Sequence, residues 1–151
     1  MNVRRFEQQD ADAVSALVIK TIRISNVKDY PADLMEEVVK SQQPENILER
    51  AGWTHMYVVE DEGMIIGVGA IGPYWGKEDE SSLFTIFVLP EYQGKGVSLL
   101  MFKQLHENCI KRGVTRMIMN PQLEENFKVQ TLFGEFETEL YTVRRAYVKS
   151  I

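Results

Sequence analysis

The segment that most constrains the fold is residues 83–102, where an apolar run, a glycine loop and a periodic apolar stretch follow one another. The apolar run over residues 83–89 predicts a central strand that is buried on both faces. Pro90 ends that run, and a short loop containing Gly94 and Gly96 follows it. The segment therefore predicts a strand, a glycine loop and a helix in direct succession.

The stretch after the loop has the spacing of an amphipathic helix over residues 97–111. Gly113 stands just past its predicted end, where a glycine commonly closes a helix. The side chains that recur on one face predict a buried stripe: Val97, Met101, Phe102, Leu105 and Cys109. We therefore expect Cys109 to be a core residue rather than a nucleophile.

A strand, a glycine loop and a helix in this order can bind phosphate. Gly94 and Gly96 can adopt positive φ and carry no Cβ to obstruct a ligand. Val97 and Ser98 fall in the first helical turn, where N–H groups have no intrahelical partner. Lys95 adds a positive charge, so the loop is suited to a pyrophosphate. The alternative is a simple strand-to-helix turn, which two glycines by themselves would favour.

Two common phosphate-binding motifs do not fit this loop. A Walker A loop ends in Gly-Lys-Ser/Thr, whereas Lys95 is followed by Gly96. The dinucleotide-binding pattern Gly-x-Gly-x-x-Gly would require its third glycine at Leu99. No acidic cluster has the spacing of metal ligands, so we expect no metal, and a nucleotide-phosphate hydrolase is disfavoured.

The rest of the chain predicts a mixture of hairpins and crossover helices. Helices are expected after Asp10 and with Pro31 and Pro44 in their first turns, and residues 26–29 are interpreted as a loop. A turn at residues 61–63 joins two strands of a hairpin. Residues 72–82 are interpreted as a polar loop. The predicted strands cover residues 1–6, 53–60, 64–71, 83–89 and 115–120, with a last helix over 124–133 and a strand-rich tail over 136–151. This order indicates an α/β or α+β sandwich with a mixed sheet.

Length and composition narrow the class of protein. The 151 residues favour a single domain over residues 1–151. A net charge of −5 argues against nucleic acid as a partner, and we expect no membrane segment because no apolar stretch is long enough. Cys109 is the single cysteine, which excludes an internal disulfide and favours a reducing, cytoplasmic location.

The glycine loop and the residues before it resemble the acetyl-coenzyme A signature of the GNAT family of N-acetyltransferases. That signature is Gln/Arg-x-x-Gly-x-Gly/Ala, after a strand that ends in a sequence of the type Val-x-Pro-Glu-Tyr. Gln93 and Gly96 match it, and Ser98 stands where the family prefers Gly or Ala. The order of elements over roughly residues 1–120 is similar to that of the family. The resemblance implies a mixed, mostly antiparallel central sheet flanked by helices, with splayed central strands.

The resemblance also implies a cofactor, acetyl-CoA, and the residues that hold it. The backbone of Ile86, Phe87 and Val88 would pair with the pantetheine arm, and Asn120 would contact the pantetheine or the substrate. The pyrophosphate would be bound by the loop residues Gln93, Gly94, Lys95, Gly96, Val97 and Ser98. The side chains of Ile86 and Val88 are also suited to the core, and both roles are compatible because the backbone would do the binding.

The reaction that the resemblance implies is direct attack of a primary amine on the acetyl thioester in a ternary complex. An alkyl ammonium has a pKa of about 10 in model peptides, so a base must remove a proton. The candidate bases are Glu78 and Glu80, with Glu60 and His55 as further possibilities, although solvated surface is the commoner role for a glutamate. Tyr74 and Trp75 are candidates for the wall of an acceptor pocket, or for buried anchors. The acceptor itself is a small-molecule amine or a peptide amine.

The C-terminal third departs from the family pattern. The family places a tyrosine there that often protonates the leaving thiolate, and in this chain that position falls near Gln130. Three interpretations stay open: the thiolate leaves without an acid, another tyrosine replaces the missing one, or the tail is rebuilt. Tyr141 and Tyr147 lie later in the chain, and the sequence assigns neither of them to the sulfur. The third would give an acetyl-CoA-binding regulatory or interaction module with little transferase activity. The strand-rich tail also makes a homodimer a reasonable expectation.

Overall fold

The structure is a computed structural model that describes residues 1–26, 31–74 and 77–119 together with Thr131, Gly134 and Glu139. Contacts between Cα atoms group the chain into two units, Met1–Ile118 and Met119–Ile151. Nearly all described residues belong to the first unit, which contains the predicted strand, glycine loop and helix. A single domain over the whole chain stays a prediction.

Five strands form one sheet in which neighbours in space are neighbours in the chain. The first four pair antiparallel, and the fifth runs parallel to the fourth. The strands are β1 (Asn2–Arg5), β2 (His55–Asp61), β3 (Met64–Tyr74), β4 (Lys77–Val88) and β5 (Arg116–Ile118). The prediction of a mixed, mostly antiparallel sheet is therefore confirmed.

In the described range 1–119, four α-helices flank this sheet: α1 (Ala11–Thr21), α2 (Ala32–Lys40), α3 (Pro44–Trp53) and α4 (Val97–Lys111). A Cβ placed on Gly69 of β3 would collide with Met101 of α4, whereas one on Gly72 would meet Trp53 of α3 at 3.0 Å. Side chains of a strand alternate between the two faces of its sheet. Since the two glycines are three residues apart, α4 covers one face of β3 and α3 lies on the opposite face.

Helix α4 has the bounds that its spacing predicts, and all five residues of the predicted stripe are buried. Gly113 follows the helix with a φ of +70°, as a glycine that closes a helix does. A Cβ on Gly67 would lie 2.9 Å from Val97 Cγ1, so β3 lies close beneath the first turn of α4. This close approach fixes the helix N-terminus beside the end of β4. No helix in the described part of the chain is long and apolar enough to cross a membrane.

The expectation of a polar loop over residues 72–82 is wrong. Strand β3 continues to Tyr74 and β4 begins at Lys77, so nearly all of this segment belongs to a hairpin. The polar residues of this segment lack the alternation of a half-buried strand, which is why the sequence predicts a loop. In the sheet, however, Pro73 of β3 pairs with Ser81 of β4, and Glu80 of β4 pairs with Arg116 of β5. Pairing with two neighbouring strands thus outweighs the weak strand preference of the local sequence.

Two helix ends also differ from the sequence expectations. Trp53 closes α3 instead of opening β2, and its ring packs edge-on against Phe84 at 5.0 Å between centroids. Asn26 ends a short π-helical turn, Ile22–Asn26, instead of starting a loop. Apart from Thr131 and Glu139, the residues of the elements predicted over 124–133 and 136–151 lie outside the described residues.

Asp10 precedes α1 as predicted, but its side chain does not cap the helix. Its carboxylate instead accepts two hydrogen bonds from Arg4, at 2.7 and 2.9 Å, and one from the backbone N–H of Glu7 at 2.7 Å. Arg4 also donates to Glu60 at 2.9 Å. Through Arg4, Asp10 therefore connects the start of α1 to β1 and β2 at the edge of the sheet.

Candidate functional site

The glycine loop has the backbone conformation that its sequence predicts. Gly94 and Gly96 have φ values of +76° and +82°, which lie in the left-handed region that residues with a Cβ rarely adopt. No heavy atom lies within 4 Å of a Cβ placed on either glycine. The loop surface is therefore open, and a ligand can approach its backbone directly.

The loop and the first turn of α4 carry a row of uncommitted N–H groups. At the N-terminal end of α4, the first helical hydrogen bond runs from the N–H of Leu100 to the carbonyl oxygen of Gly96, with 3.1 Å between the two atoms. Within the described part of the chain, no acceptor bonds the N–H groups of Gly94, Gly96, Val97, Ser98 and Leu99. These donors lie at the positive end of the α4 dipole, so the site is suited to an anion with several oxygens, such as a pyrophosphate.

Two side chains of the loop make contacts within the protein. Gln93 Nε2 donates to the carbonyl oxygen of Val88 at 3.2 Å and to Ser25 Oγ at 3.3 Å. Lys95 Nζ lies 5.1 Å from the ring centroid of Tyr92, a distance typical of a cation–π contact. Gln93 thus holds the loop against the end of β4, while the exposed Lys95 leaves its charge beside the loop.

Strand β4 has an open outer edge next to this loop. Strand β5 pairs with it only at residues 80–82, and the described residues offer no strand partner on that side for residues 84–88. Leu83 and Ser82 make further interactions and are not part of this edge. Within the described residues, the pairing between β4 and β5 therefore ends at Ser82 and Ile118, and the splay that the sequence resemblance implies stays a prediction.

A bulge at Thr85 interrupts the open edge. The register between β3 and β4 shifts by one residue between Val68, which faces Phe87, and Ala70, which faces Phe84. Thr85 has a φ of +51°, which is uncommon for a β-branched residue. Bulges reorient the backbone and commonly lie next to functional sites. No signal in the local sequence predicts this one.

The alternation of β4 decides which backbone groups face outward. The N–H of Leu89 donates to Ile66 of β3 at 3.0 Å, so the backbone of Phe87, two residues earlier, also faces β3. The carbonyl of Ile86 and both backbone groups of Val88 then point to the outer edge. The Val88 carbonyl accepts bonds from Gln93 and Thr21, which leaves the Ile86 carbonyl and the Val88 N–H for a ligand. Phe87 is therefore the member of the predicted trio whose backbone is committed to the sheet.

Arg50 is a site residue that sequence reasoning missed. It lies in the last turn of α3, and its Nη1 donates to Thr85 Oγ1 at 2.9 Å and to Gln42 Oε1 at 3.0 Å. Burial lowers the pKa of Arg50 below its ordinary value, because desolvation disfavours the charged form. An arginine near the end of a helix is too common a pattern to reveal this contact.

The described residues among the predicted catalytic and substrate residues belong to β3 and β4. Glu80 is in β4, where one carboxylate oxygen lies 3.3 Å from Lys77 Nζ and the other 4.0 Å from Arg116 Nη1. It is five residues before Thr85, or roughly 16 Å along the strand at the usual rise. Glu78 also belongs to β4, and Tyr74 is the last residue of β3. Trp75 and Asn120 lie outside the described residues.

The further candidates Glu60 and His55 are not near the open edge. Both belong to β2, which is two strands away from β4. Glu60 accepts a hydrogen bond from Arg4, and His55 Nδ1 lies 3.1 Å from Arg5 Nη1. Burial, together with the charges of Arg112 and Arg5, lowers the pKa of His55. These two residues are close to β3 in the chain because the hairpin turn joins β2 to β3, but they are not near the site.

The donors at the site suit an extended phosphate-bearing cofactor better than a metal. The loop offers N–H groups to a pyrophosphate, and the edge of β4 offers one carbonyl and one N–H to an amide-containing arm. In the part of the chain that the structure describes, no three His, Cys, Asp or Glu side chains group as metal ligands do. The residues present therefore fit coenzyme A, whose pantetheine arm contains two amides.

Comparison with known proteins connects these features to one family. The sequence model of the acetyltransferase (GNAT) family matches residues 19–136. No curated protein matches the sequence.

Solved structures resemble the chain at low sequence identity. PaiA N-acetyltransferase from Thermoplasma acidophilum, in complex with coenzyme A, has a TM-score of 0.79 and 11% identity over 89% of this chain and 87% of its own. The ribosomal-protein-S18-alanine N-acetyltransferase from Escherichia coli has a TM-score of 0.74 and 18% identity over 99% and 84%. A GNAT family acetyltransferase from Brucella melitensis, in complex with acetyl-CoA, has a TM-score of 0.62 and 20% identity over 85% and 80%. These similarities show the fold.

Proposed function

The chain belongs to the GNAT family of acetyltransferases, and from this premise we propose that it transfers an acetyl group from acetyl-CoA to a primary amine. The observation that carries the proposal is the continuity of the site. The outer edge of β4 leads from Thr85 to Val88, and after one short turn the uncommitted N–H groups of the loop begin. Two of the similar solved structures are complexes with coenzyme A or acetyl-CoA, which supports the same cofactor here.

The proposed binding mode follows the direction of this edge. The pyrophosphate is bound by the loop of residues 93–98, where the N–H groups and the α4 dipole act together. The pantetheine arm then extends along β4 and pairs with the Val88 N–H and the Ile86 carbonyl. This order brings the thioester end to the bulge at Thr85. Asn120 stays a proposed contact of the arm or of the substrate.

Acetyl-CoA supplies the acetyl group as an activated thioester. The protein must place the amine beside it and stabilise the negative charge that develops on the thioester oxygen. The peptide between Thr85 and Ile86 is our candidate for that role, because the left-handed Thr85 turns it out of the regular alternation of β4. A preorganised backbone N–H at this position needs no rearrangement during the reaction.

The base that removes the amine proton is proposed among Glu78 and Glu80. Because Glu80 is roughly 16 Å along the strand from Thr85, it would act through a chain of water molecules. Tyr74, the last residue of β3, and Trp75, which follows it in the chain, are proposed to line the acceptor pocket. A Glu80→Gln variant that keeps its acetyl-CoA affinity and loses most of its transfer rate would support the base assignment, and an unchanged rate would exclude it.

Calorimetric titration of acetyl-CoA tests the cofactor site. Gly96→Trp is expected to abolish binding, because the indole would occupy the open space over the loop. Gly113→Trp is the matched control, since Gly113 also has positive φ and open space but lies at the other end of α4. Equal loss in both variants, unaltered binding in Gly96→Trp, or no binding to the wild type would each exclude the site.

Release of CoA from acetyl-CoA in the presence of a panel of amines tests the transfer itself. We expect thiol release with at least one amine and none without it. If acetyl-CoA binds and every amine fails, the chain is a cofactor-binding regulatory or interaction module instead. The homodimer and the cytoplasmic location remain predictions from the sequence.

A further inference from the structure

Arg50 carries a partly buried charge that no carboxylate balances among the described residues. Its only hydrogen-bonding partners in the structure are the neutral oxygens of Gln42 and Thr85. Glu49 acts on it electrostatically but forms no ion pair with it. Charged groups that leave water are normally paired, because an unpaired charge costs free energy on burial. The position is therefore suited to an anion from outside the chain.

The two hydrogen bonds of Arg50 leave a defined edge of the guanidinium group free. Both use Nη1, and together they orient the plane of the group between α3 and β4. The Nε and Nη2 donors have no acceptor in the described part of the chain. Two parallel N–H groups of a guanidinium match the two oxygens of a carboxylate, which makes this edge a bidentate binding site.

This edge lies beside the proposed end of the pantetheine arm. Thr85 is the bulge residue, and Ile86, whose carbonyl faces the open edge of β4, comes directly after it. Helix α3 lies on the face of the sheet opposite α4, and the contact between Trp53 and Phe84 shows that this part of β4 packs against α3. An acceptor bound at Arg50 would thus approach the thioester from the face of the sheet on which α3 lies, which is the face opposite α4.

We propose that Arg50 binds the carboxylate of the acetyl acceptor, which makes the acceptor a small amine that also carries a carboxylate, such as an amino acid. The inference rests on the proposed function, since it names the substrate class of that same site. Gln42 and Thr85 are positioning residues that hold the guanidinium. Peptide amines without a nearby carboxylate are disfavoured as acceptors.

Calorimetry with the twenty L-amino acids and their carboxamides tests the proposal without turnover. The titrations use the protein alone and its complex with CoA, which has no acetyl group to transfer. We expect at least one amino acid to bind about tenfold more tightly than its carboxamide. No such preference, or tighter binding of O-phosphoethanolamine than of every amino acid, would overturn the assignment. Failure of CoA to bind would refute the proposed function, and the comparison in the protein alone would still decide the role of Arg50.

Variants separate substrate binding from a purely structural role. Arg50→Gln is expected to reduce the affinity for the preferred amino acid to that for its carboxamide, and Arg50→Lys to retain part of the preference. Arg112→Gln, which removes an exposed charge at the end of α4, is the matched control and should keep the full preference. An Arg50→Gln protein that keeps the preference contradicts the proposal.

If Arg50→Gln does not fold, Thr85→Val provides the second test. It keeps the guanidinium and removes one of the two oxygens that orient it. We expect the preference of this variant for amino acids over their carboxamides to be weaker than that of the wild type and stronger than that expected of Arg50→Gln. An unchanged preference in this variant would overturn the positioning role.

Discussion

The Nε2 atom of Gln93 lies 3.2 Å from the carbonyl oxygen of Val88, so one side chain joins the glycine loop to the last residue of β4. This hydrogen bond connects the two halves of the proposed cofactor site. It also occupies an oxygen at the open edge that would otherwise be available to the pantetheine arm. The hydrogen bond therefore helps to hold the loop beside the end of β4, where an extended ligand would contact both.

Replacing Gln93 by leucine should loosen this connection. A neutral hydrogen bond contributes about 0.5–1.5 kcal/mol, so we expect the affinity for acetyl-CoA to fall by roughly two- to tenfold. The measurement is calorimetric titration, with Gln8→Leu as a control on an exposed turn far along the chain. An affinity equal to that of the wild type would show that the side chain does not organise the site.

Gly69 should be intolerant of alanine, whereas Gly52 should accept it. A Cβ on Gly69 collides with Met101, so Gly69→Ala is expected to lower the free energy of unfolding by about 1–3 kcal/mol. Gly52 lies within α3 with no atom within 4 Å of a Cβ, so Gly52→Ala should raise it by about 0.5–1 kcal/mol. Urea denaturation of both variants checks the opposite signs, and equal effects would contradict the packing described for α4.

The pair of Arg4 and Asp10 should make stability depend on acid pH. The hydrogen bond from Arg4 holds the pKa of Asp10 below its ordinary value of 3.8. A carboxyl with a lowered folded pKa stabilises the protein above the unfolded pKa, and this contribution is lost as pH falls through the folded pKa. Asp10→Asn should therefore cost about 2 kcal/mol at pH 7. The difference from wild type should shrink below pH 3.8, and a constant difference down to pH 2 would refute the linkage.

Cys109 should be unreactive in the folded protein. The side chain is 4% exposed, and burial raises the pKa of its thiol, so little thiolate is available. We expect a thiol reagent at pH 8 to label the native chain at least about tenfold more slowly than the urea-unfolded chain. Cys109→Ser supplies the blank. Rapid labelling of the native chain would place the thiol at the surface, and it would also add a background signal to any assay of CoA release.

Several elements were predictable because their signals lie in adjacent residues. The stripe from Val97 to Cys109 repeats at helical spacing, and the structure gives α4 the predicted bounds. The hairpin turn at Glu62 and Gly63 has two residues of positive φ, as a short acidic-glycine turn indicates. In contrast, the polar stretch before Leu83 was interpreted as a loop, because its pairing with β3 and β5 has no local signature.

One part of the candidate site, the glycine loop, was predictable from the sequence, and the rest was not. The glycine loop could be identified because positive φ at Gly94 and Gly96 is a property of the residue type. The bulge at Thr85 could not, since nothing in Phe-Thr-Ile distinguishes it from a regular strand. Arg50 is 35 residues from Thr85 in the chain, and their hydrogen bond exists only because the fold places the last turn of α3 beside Thr85 of β4.

The sequence by itself thus determined the order of elements, the family resemblance and the phosphate-binding character of the loop. These properties depend on backbone preferences and on periodicity within a few residues. The tertiary structure alone decided which groups of β4 face outward, where the strand bulges, and that an unpaired guanidinium lies beside it. Those properties depend on which distant elements pair and pack. Each such contact joins residues that are far apart in the chain, and no local sequence pattern predicts it.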